Sequence, residues 1–131
     1  MENLIIHATE YTPHIAFDVE KNILEIKGYS YPENAMAFYA PMFDWLHGYF
    51  SRLKSQADIL LNIEIIYFNS SSSKVLLDLF DLLNEQTLNK GIQSTVNWIY
   101  EEEDEDMLEF GQEFQEDFPS ITFHFVKKHS E

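Results

Sequence analysis

Apolar residues near the start of the chain alternate with polar ones, and further along they shift to steps of three and four. Leu4, Ile5 and Ile6 open a short apolar run, which Tyr11-Thr12-Pro13 interrupts. His14-Ile15-Ala16-Phe17-Asp18 and Ile23-Leu24-Glu25-Ile26-Lys27-Gly28 then flank the polar stretch 19–22. Two runs of β-branched and aromatic residues around a short polar connection predict an antiparallel hairpin. After Ser30-Tyr31-Pro32-Glu33-Asn34, residues Phe38, Met42, Trp45, Leu46, Tyr49, Phe50 and Leu53 mark an amphipathic helix. Pro32 suits its first position, Glu33 its positive end, and Pro41 should kink or restart it.

Residues 58–68 are apolar at odd and even positions alike, the pattern of a strand covered from two sides. Residues 69–73 form a polar break. Val75, Leu76, Leu79, Phe80, Leu82 and Leu83 define a second helix, which Asn89-Lys90-Gly91 stops with a cation and a glycine. Residues 92–100 alternate as a strand, and the acidic run 101–106 leads into a third helix carrying Met107, Leu108, Phe110, Phe114 and Phe118. Residues 120–127 alternate once more, and only the last few residues look frayed. Three opening strands are thus followed by three helix–strand pairs. The fold class is α/β: a mixed sheet with an antiparallel N-terminal hairpin, three helices packed on it, and right-handed crossovers joining parallel neighbours.

The length of 131 residues fits a single domain, and 45% apolar content with 20 aromatic residues supplies a core. There is no cysteine, which removes disulfides and thiolate chemistry. The N-terminus has no signal-peptide pattern and no apolar run approaches the roughly 20 residues of a membrane span, so a cytoplasmic location is expected. A net charge of −15 repels phosphate backbones and anionic lipid, which argues against nucleic acid and membrane as partners. It favours a basic partner surface or a cation, and it also serves solubility.

Enzyme chemistry finds little support. Asp78 and Asp81 are three apart on one helical face, without the enclosing cleft that separates carboxyl pKa values. The run 101–106 lacks the glycine and ligand order of an EF-hand loop, and acidic residues at a helix start are favoured by its dipole. The five histidines show no metal-ligand spacing, and no nucleophile elbow occurs. No cofactor or metal is expected. Tyr67-Phe68-Asn69-Ser70-Ser71-Ser72-Ser73-Lys74 is the segment with most chemical content. It stands at the carboxyl end of a strand, where partners of open α/β sheets meet the fold. Its serines could cap the next helix, or one of them could carry a phosphate stabilised by free N–H groups and the helix dipole.

Four blocks in order along the chain resemble the bacterial SiaC family of regulatory phosphoproteins. They are Ser30-Tyr31-Pro32-Glu33-Asn34, Tyr67-Phe68-Asn69-Ser70-Ser71-Ser72, Asp78-Leu79-Phe80-Asp81-Leu82-Leu83 and Glu113-Phe114-Gln115-Glu116-Asp117-Phe118. That family is similar to the STAS domains of anti-sigma-factor antagonists, so the resemblance implies a STAS-like fold. It implies a non-enzymatic switch phosphorylated by a cognate Ser/Thr kinase and reset by a PP2C-type phosphatase. The unphosphorylated form would bind a diguanylate cyclase, in c-di-GMP signalling. The family's acceptor position falls on Ser70, with Ser71 as the fallback, because STAS antagonists use the second hydroxyl of their motif. Tyr31, Glu33, Asn34, Asn69, Ser72, Asp78 and Asp81 are the expected partner-binding residues. The competing readings are an acidic cation- or small-ligand-binding protein and a constitutive scaffold.

Overall fold

The structure, a computed structural model, describes residues 1–129; the fraying expected at the very end lies outside the described residues. The chain order is β1 (Leu4–Ile6), β2 (His14–Asp18), β3 (Ile23–Ser30), α1 (Ala35–Arg52), β4 (Asp58–Phe68), α2 (Ser70–Lys90), β5 (Gln93–Glu101), α3 (Glu105–Asp117) and β6 (Thr122–Lys128). The six strands form one sheet in sequential order. β1, β2 and β3 are antiparallel neighbours, and β3 to β6 run parallel. The mixed sheet with three helices and an antiparallel N-terminal edge is therefore the one its alternation predicts.

The β2–β3 register pairs Asp18 with Ile23, leaving residues 19–22 as the connection. The Asp18 carboxylate accepts from the backbone N–H groups of Glu20 and Lys21 at 3.0 and 3.1 Å, and Asn22 takes a positive φ of 56° to close the turn. An Asx turn of this kind replaces ladder bonds with side-chain ones.

Each crossover advances the same way across the sheet, and crossovers of one hand put all three helices on one face. The core lies between that face and the helices: Ile59, Leu61, Ile63 and Ile65 of β4, Val96 and Trp98 of β5, and Leu79, Phe80 and Leu83 of α2 are buried. α3 comes close because residue 111 is glycine; a Cβ there would sit 2.6 Å from Cδ1 of Trp98.

β4 departs from its expected two-sided cover. Its other face carries Leu60, Asn62 and Glu64, partly screened by neighbouring strands alone. Polar pairs bridge this bare face: Asn97 donates to Asn62 at 2.9 Å, and Lys128 reaches Glu64 across β5 at 2.7 Å. The carboxylate's hydrogen bond and charge raise the Lys128 pKa.

α1 begins at Ala35 with Asn34 as its cap, so Pro32 and Glu33 precede the helix and do not form its first turn. Pro41 neither ends nor restarts α1. Its ring removes the bond to the Ala37 carbonyl, but both residues are on the exposed side, where water can serve that carbonyl. α2 stops as expected: Gly91 adopts the left-handed region at φ 66° and donates its N–H to the Thr87 carbonyl. The Lys90 ammonium donates to the Phe50 carbonyl, tying the ends of α1 and α2 together.

Candidate functional site

The serine run is helical. The expected polar break shrinks to Asn69, the N-cap, and Ser70 to Ser73 form the first turn of α2. Four serines in succession have weak helix propensity, so tertiary bonds decide the matter here. The Asn69 side chain accepts from the Ser72 N–H at 2.9 Å, and its carbonyl accepts from the Ser73 N–H at 3.0 Å. The Asn69 N–H donates to the Ser30 carbonyl at 3.1 Å, locking the cap to the end of β3.

Ser72 points inward and is 1% exposed. Its hydroxyl accepts from Ser30 at 2.7 Å, and Ser30 meets the Tyr39 hydroxyl at 2.6 Å. This three-hydroxyl chain joins β3, α1 and α2 beneath the helix start. Ser72 therefore corrects one expectation: buried under the surface, it holds the site in place and does not face a partner.

Burial pushes the Tyr39 pKa up from 10.0 to about 12, against the lowering effect of its bond to Ser30. The folded state thus holds this proton more tightly than the unfolded chain. The resulting stability is complete below pH 10 and is lost as pH climbs through 10 towards 12. Tyr39→Phe should cost about 1 kcal/mol at neutral pH, the net worth of one buried hydrogen bond. Its loss of stability between pH 10 and 12 should be shallower than that of the parent. Urea melts at a series of pH values check this; parallel curves for the two proteins contradict it.

Ser70 and Ser71 both lie exposed at the first two helical positions. Among the described residues their backbone N–H groups make no hydrogen bond, while those of Ser72 and Ser73 are taken by Asn69. Two free donors and the positive end of a 21-residue helix converge beside the two hydroxyls. The next residues of the same face are Lys74 and Asp78, which approach each other at 3.8 Å.

At the same ends of β3 and β4, on the sheet face opposite the buried Ser30 and Phe68, stands a group of tyrosines. Tyr31 packs edge-on against Tyr11, Tyr29 and Tyr67, with ring centroids 5.4, 6.3 and 5.8 Å away. All four count as exposed, Tyr11 and Tyr67 by more than half. A register shift between Gly28 and Tyr29 leaves Ile66 without a partner and pairs Tyr29 with Tyr67. The sequence pattern marks neither Tyr11 nor Tyr29 as a site residue, and Tyr67 enters only at the head of the serine segment. Tyr29-Ser30-Tyr31 at a strand end was the available signal, since alternate residues share a face.

The remaining expected site residues divide into two places. Glu33 lines a shallow cavity of about 560 Å³ with Tyr11, Thr12, Tyr31 and Pro32. Asn34 accepts from the Ala37 N–H at 3.1 Å, so its side chain serves α1 as a cap. Asp78 and Asp81 stand apart from this edge, two and three turns along α2, beside a groove between α1 and α2. The acidic run after β5 acts as a helix start: Asp104 caps α3, and Glu105 and Asp106 occupy its first turn. Among the described residues no three His, Cys, Asp or Glu side chains are grouped to hold a metal. No helix among them is long and apolar enough to cross a membrane.

The model of the SiaC family of regulatory phosphoproteins matches residues 6–128. The chain belongs to that family. An uncharacterised protein of Pseudomonas aeruginosa strain UCBPP-PA14 is 32% identical over 132 residues, covering both chains completely. The crystal structure of apo-SiaC from Pseudomonas aeruginosa matches with a TM-score of 0.82 at 28% identity, over 96% of this chain and 99% of that one. SiaC in the crystal structure of diguanylate cyclase SiaD in complex with its activator SiaC, from the same organism, matches with a TM-score of 0.85 at 30% identity, over 95% and 99% of the two chains. The SiaC-like fold of this protein follows from these likenesses, and its family is one of regulators that do no catalysis.

Proposed function

We propose that this protein is a cytoplasmic, non-enzymatic switch whose phosphoacceptor is Ser70. The carrying observation is an exposed hydroxyl at the first position of α2, beside two unoccupied backbone donors, in a chain of a phosphoprotein family. A cognate Ser/Thr kinase adds the phosphate and a PP2C-type phosphatase removes it. The effector is a diguanylate cyclase, by analogy with the relative whose complex with such an enzyme is solved. It docks in the unphosphorylated state on the edge formed by Tyr31, Glu33, Asn34 and Asn69, with Tyr11, Tyr29 and Tyr67 as neighbouring contacts. Aromatic side chains that already hold one another in place suit a partner surface, because little rotamer freedom remains to be lost on docking.

The free donors let a phosphate sit on the helix start without disturbing the fold. What changes is the surface: about −1.5 to −2 charge appears where the effector must exclude water. Ser71 shares the exposure and is one residue from the same donors, so site mapping separates the two. Reaction with the cognate kinase and ATP, followed by phosphopeptide mass spectrometry, is expected to find one phosphate, on Ser70, that the phosphatase removes. Modification confined to Ser71 moves the acceptor by one residue. Modification confined to positions outside 70–73 contradicts the reading.

A further inference from the structure

A groove with a cavity of about 470 Å³ runs between α1 and α2, away from the serine edge. Its floor is apolar: Ala40 and Phe43 of α1 face Val75 and Leu82 of α2. Met36, 73% exposed, stands at one end. Its rim is acidic, with Asp44 on one bank and Asp78, Asp81 and Glu85 on the other. Among the described residues His47 is the one basic side chain of the lining. Both banks span about 15 Å at a rise of about 1.5 Å per residue, which is close to three helical turns.

We infer that this groove receives a basic amphipathic helix of a partner protein. Two helices side by side offer a trough that a third can enter through residues spaced at three and four, and the apolar floor rewards that entry. Four carboxylates on the banks select lysine and arginine flanks over acidic ones. A second copy of this chain fits poorly, since each copy carries a net charge of −15. A metal ion fits poorly as well: the four carboxylates lie along the banks and do not converge among the described residues. Val75 is one turn or more beyond Ser70, so groove occupancy goes beyond the switch and does not require it.

The test is an amide NMR titration of the full chain with three designed helical peptides of about 15 residues, the length that fills such a groove. One has a leucine stripe at three- and four-residue spacing with lysine flanks. The second has glutamate flanks, and the third keeps the lysines but scrambles the stripe. Only the first should bind saturably at about 0.15 M salt, where long-range attraction is screened. Its shifts should centre on residues 36–47 and 75–85.

Ala40→Arg, a change at an exposed floor position, should weaken binding about tenfold or more by filling the trough with a like charge. The pair Asp78→Asn and Asp81→Asn should weaken it about fivefold, whereas Glu103→Gln, Glu109→Gln and Glu113→Gln together should leave it within about twofold. Equal binding of the scrambled or acidic peptide, shifts centred on the tyrosines or the bare sheet face, or an equal loss in the remote triple variant overturns the inference. These outcomes are independent of where a kinase places its phosphate.

Discussion

Phosphorylation at Ser70 is expected to weaken effector binding about 100-fold, and Ser70→Asp about tenfold, while Ser70→Ala keeps it within about threefold. A factor of 100 corresponds to about 2.7 kcal/mol, within the range seen when a charge is trapped against an interface that cannot pair it. Ser70 makes no side-chain hydrogen bond among the described residues, so alanine removes nothing the fold depends on. A carboxylate carries less charge than a phosphate and fewer acceptors, hence the smaller effect of Ser70→Asp. The nearest cation on the helix is Lys74, already close to Asp78, and the next charges, Asp78, Asp81 and Glu85, share the sign of the phosphate. Isothermal titration of the three proteins against the cognate cyclase measures the series. Lost folding cannot imitate lost binding in this case, because an acidic residue in the first turn of a helix is mildly stabilising. Thermal melts of the aspartate variant should match or exceed the parent. Equal affinities for the Ala, Asp and phosphorylated forms would leave the switch without a mechanism.

Phe80→Ala is expected to remove about 3–5 kcal/mol of stability, the usual cost of emptying a buried aromatic site. Phe80 is fully buried and lies at the meeting point of three elements. Its ring is 4.9 Å from Phe114 and 5.9 Å from Phe118 at the end of α3, and 5.3 Å from Phe123 of β6. Domains of this size hold only about 5–15 kcal/mol in total, so the loss is a large share of what keeps the molecule folded. α2 would lose its anchor against α3 and the sheet, and with it the fixed position of the serine turn. Leu88→Ala on the same helix, at a side chain 67% exposed, should cost less than about 0.5 kcal/mol. Urea denaturation of both variants gives the comparison. Similar midpoints for Phe80→Ala and Leu88→Ala contradict this account of the core.

The alternation of β2 and β3, the three-and-four spacing of α1 and α2, and the stop at Gly91 were legible because each rests on local periodicity or a special backbone angle. The start of α2 was not, since four serines carry no apolar period and Ser72 becomes helical through bonds to Ser30, far away in the chain. The bare face of β4 was hidden for the opposite reason. Leu60, Ile66 and Tyr67 look like core residues in a one-dimensional pattern, yet among the described residues the sequential strand order leaves their side of the sheet without a helix. The tyrosine group depends on the shifted register that sets Tyr29 against Tyr67, which neither strand encodes alone. Asn34 and Asn69, expected at the partner edge, also serve as helix caps. A cap is readable from a short polar residue before a helix only when the helix start itself is placed correctly.

One observation would weigh more than any other: the behaviour of a preformed complex with the cyclase effector, held on a sensor, when kinase and ATP are added. The complex should dissociate in step with phosphate appearing on Ser70, and should re-form once the phosphatase has acted. A complex that stays intact while Ser70 is fully phosphorylated contradicts the central claim.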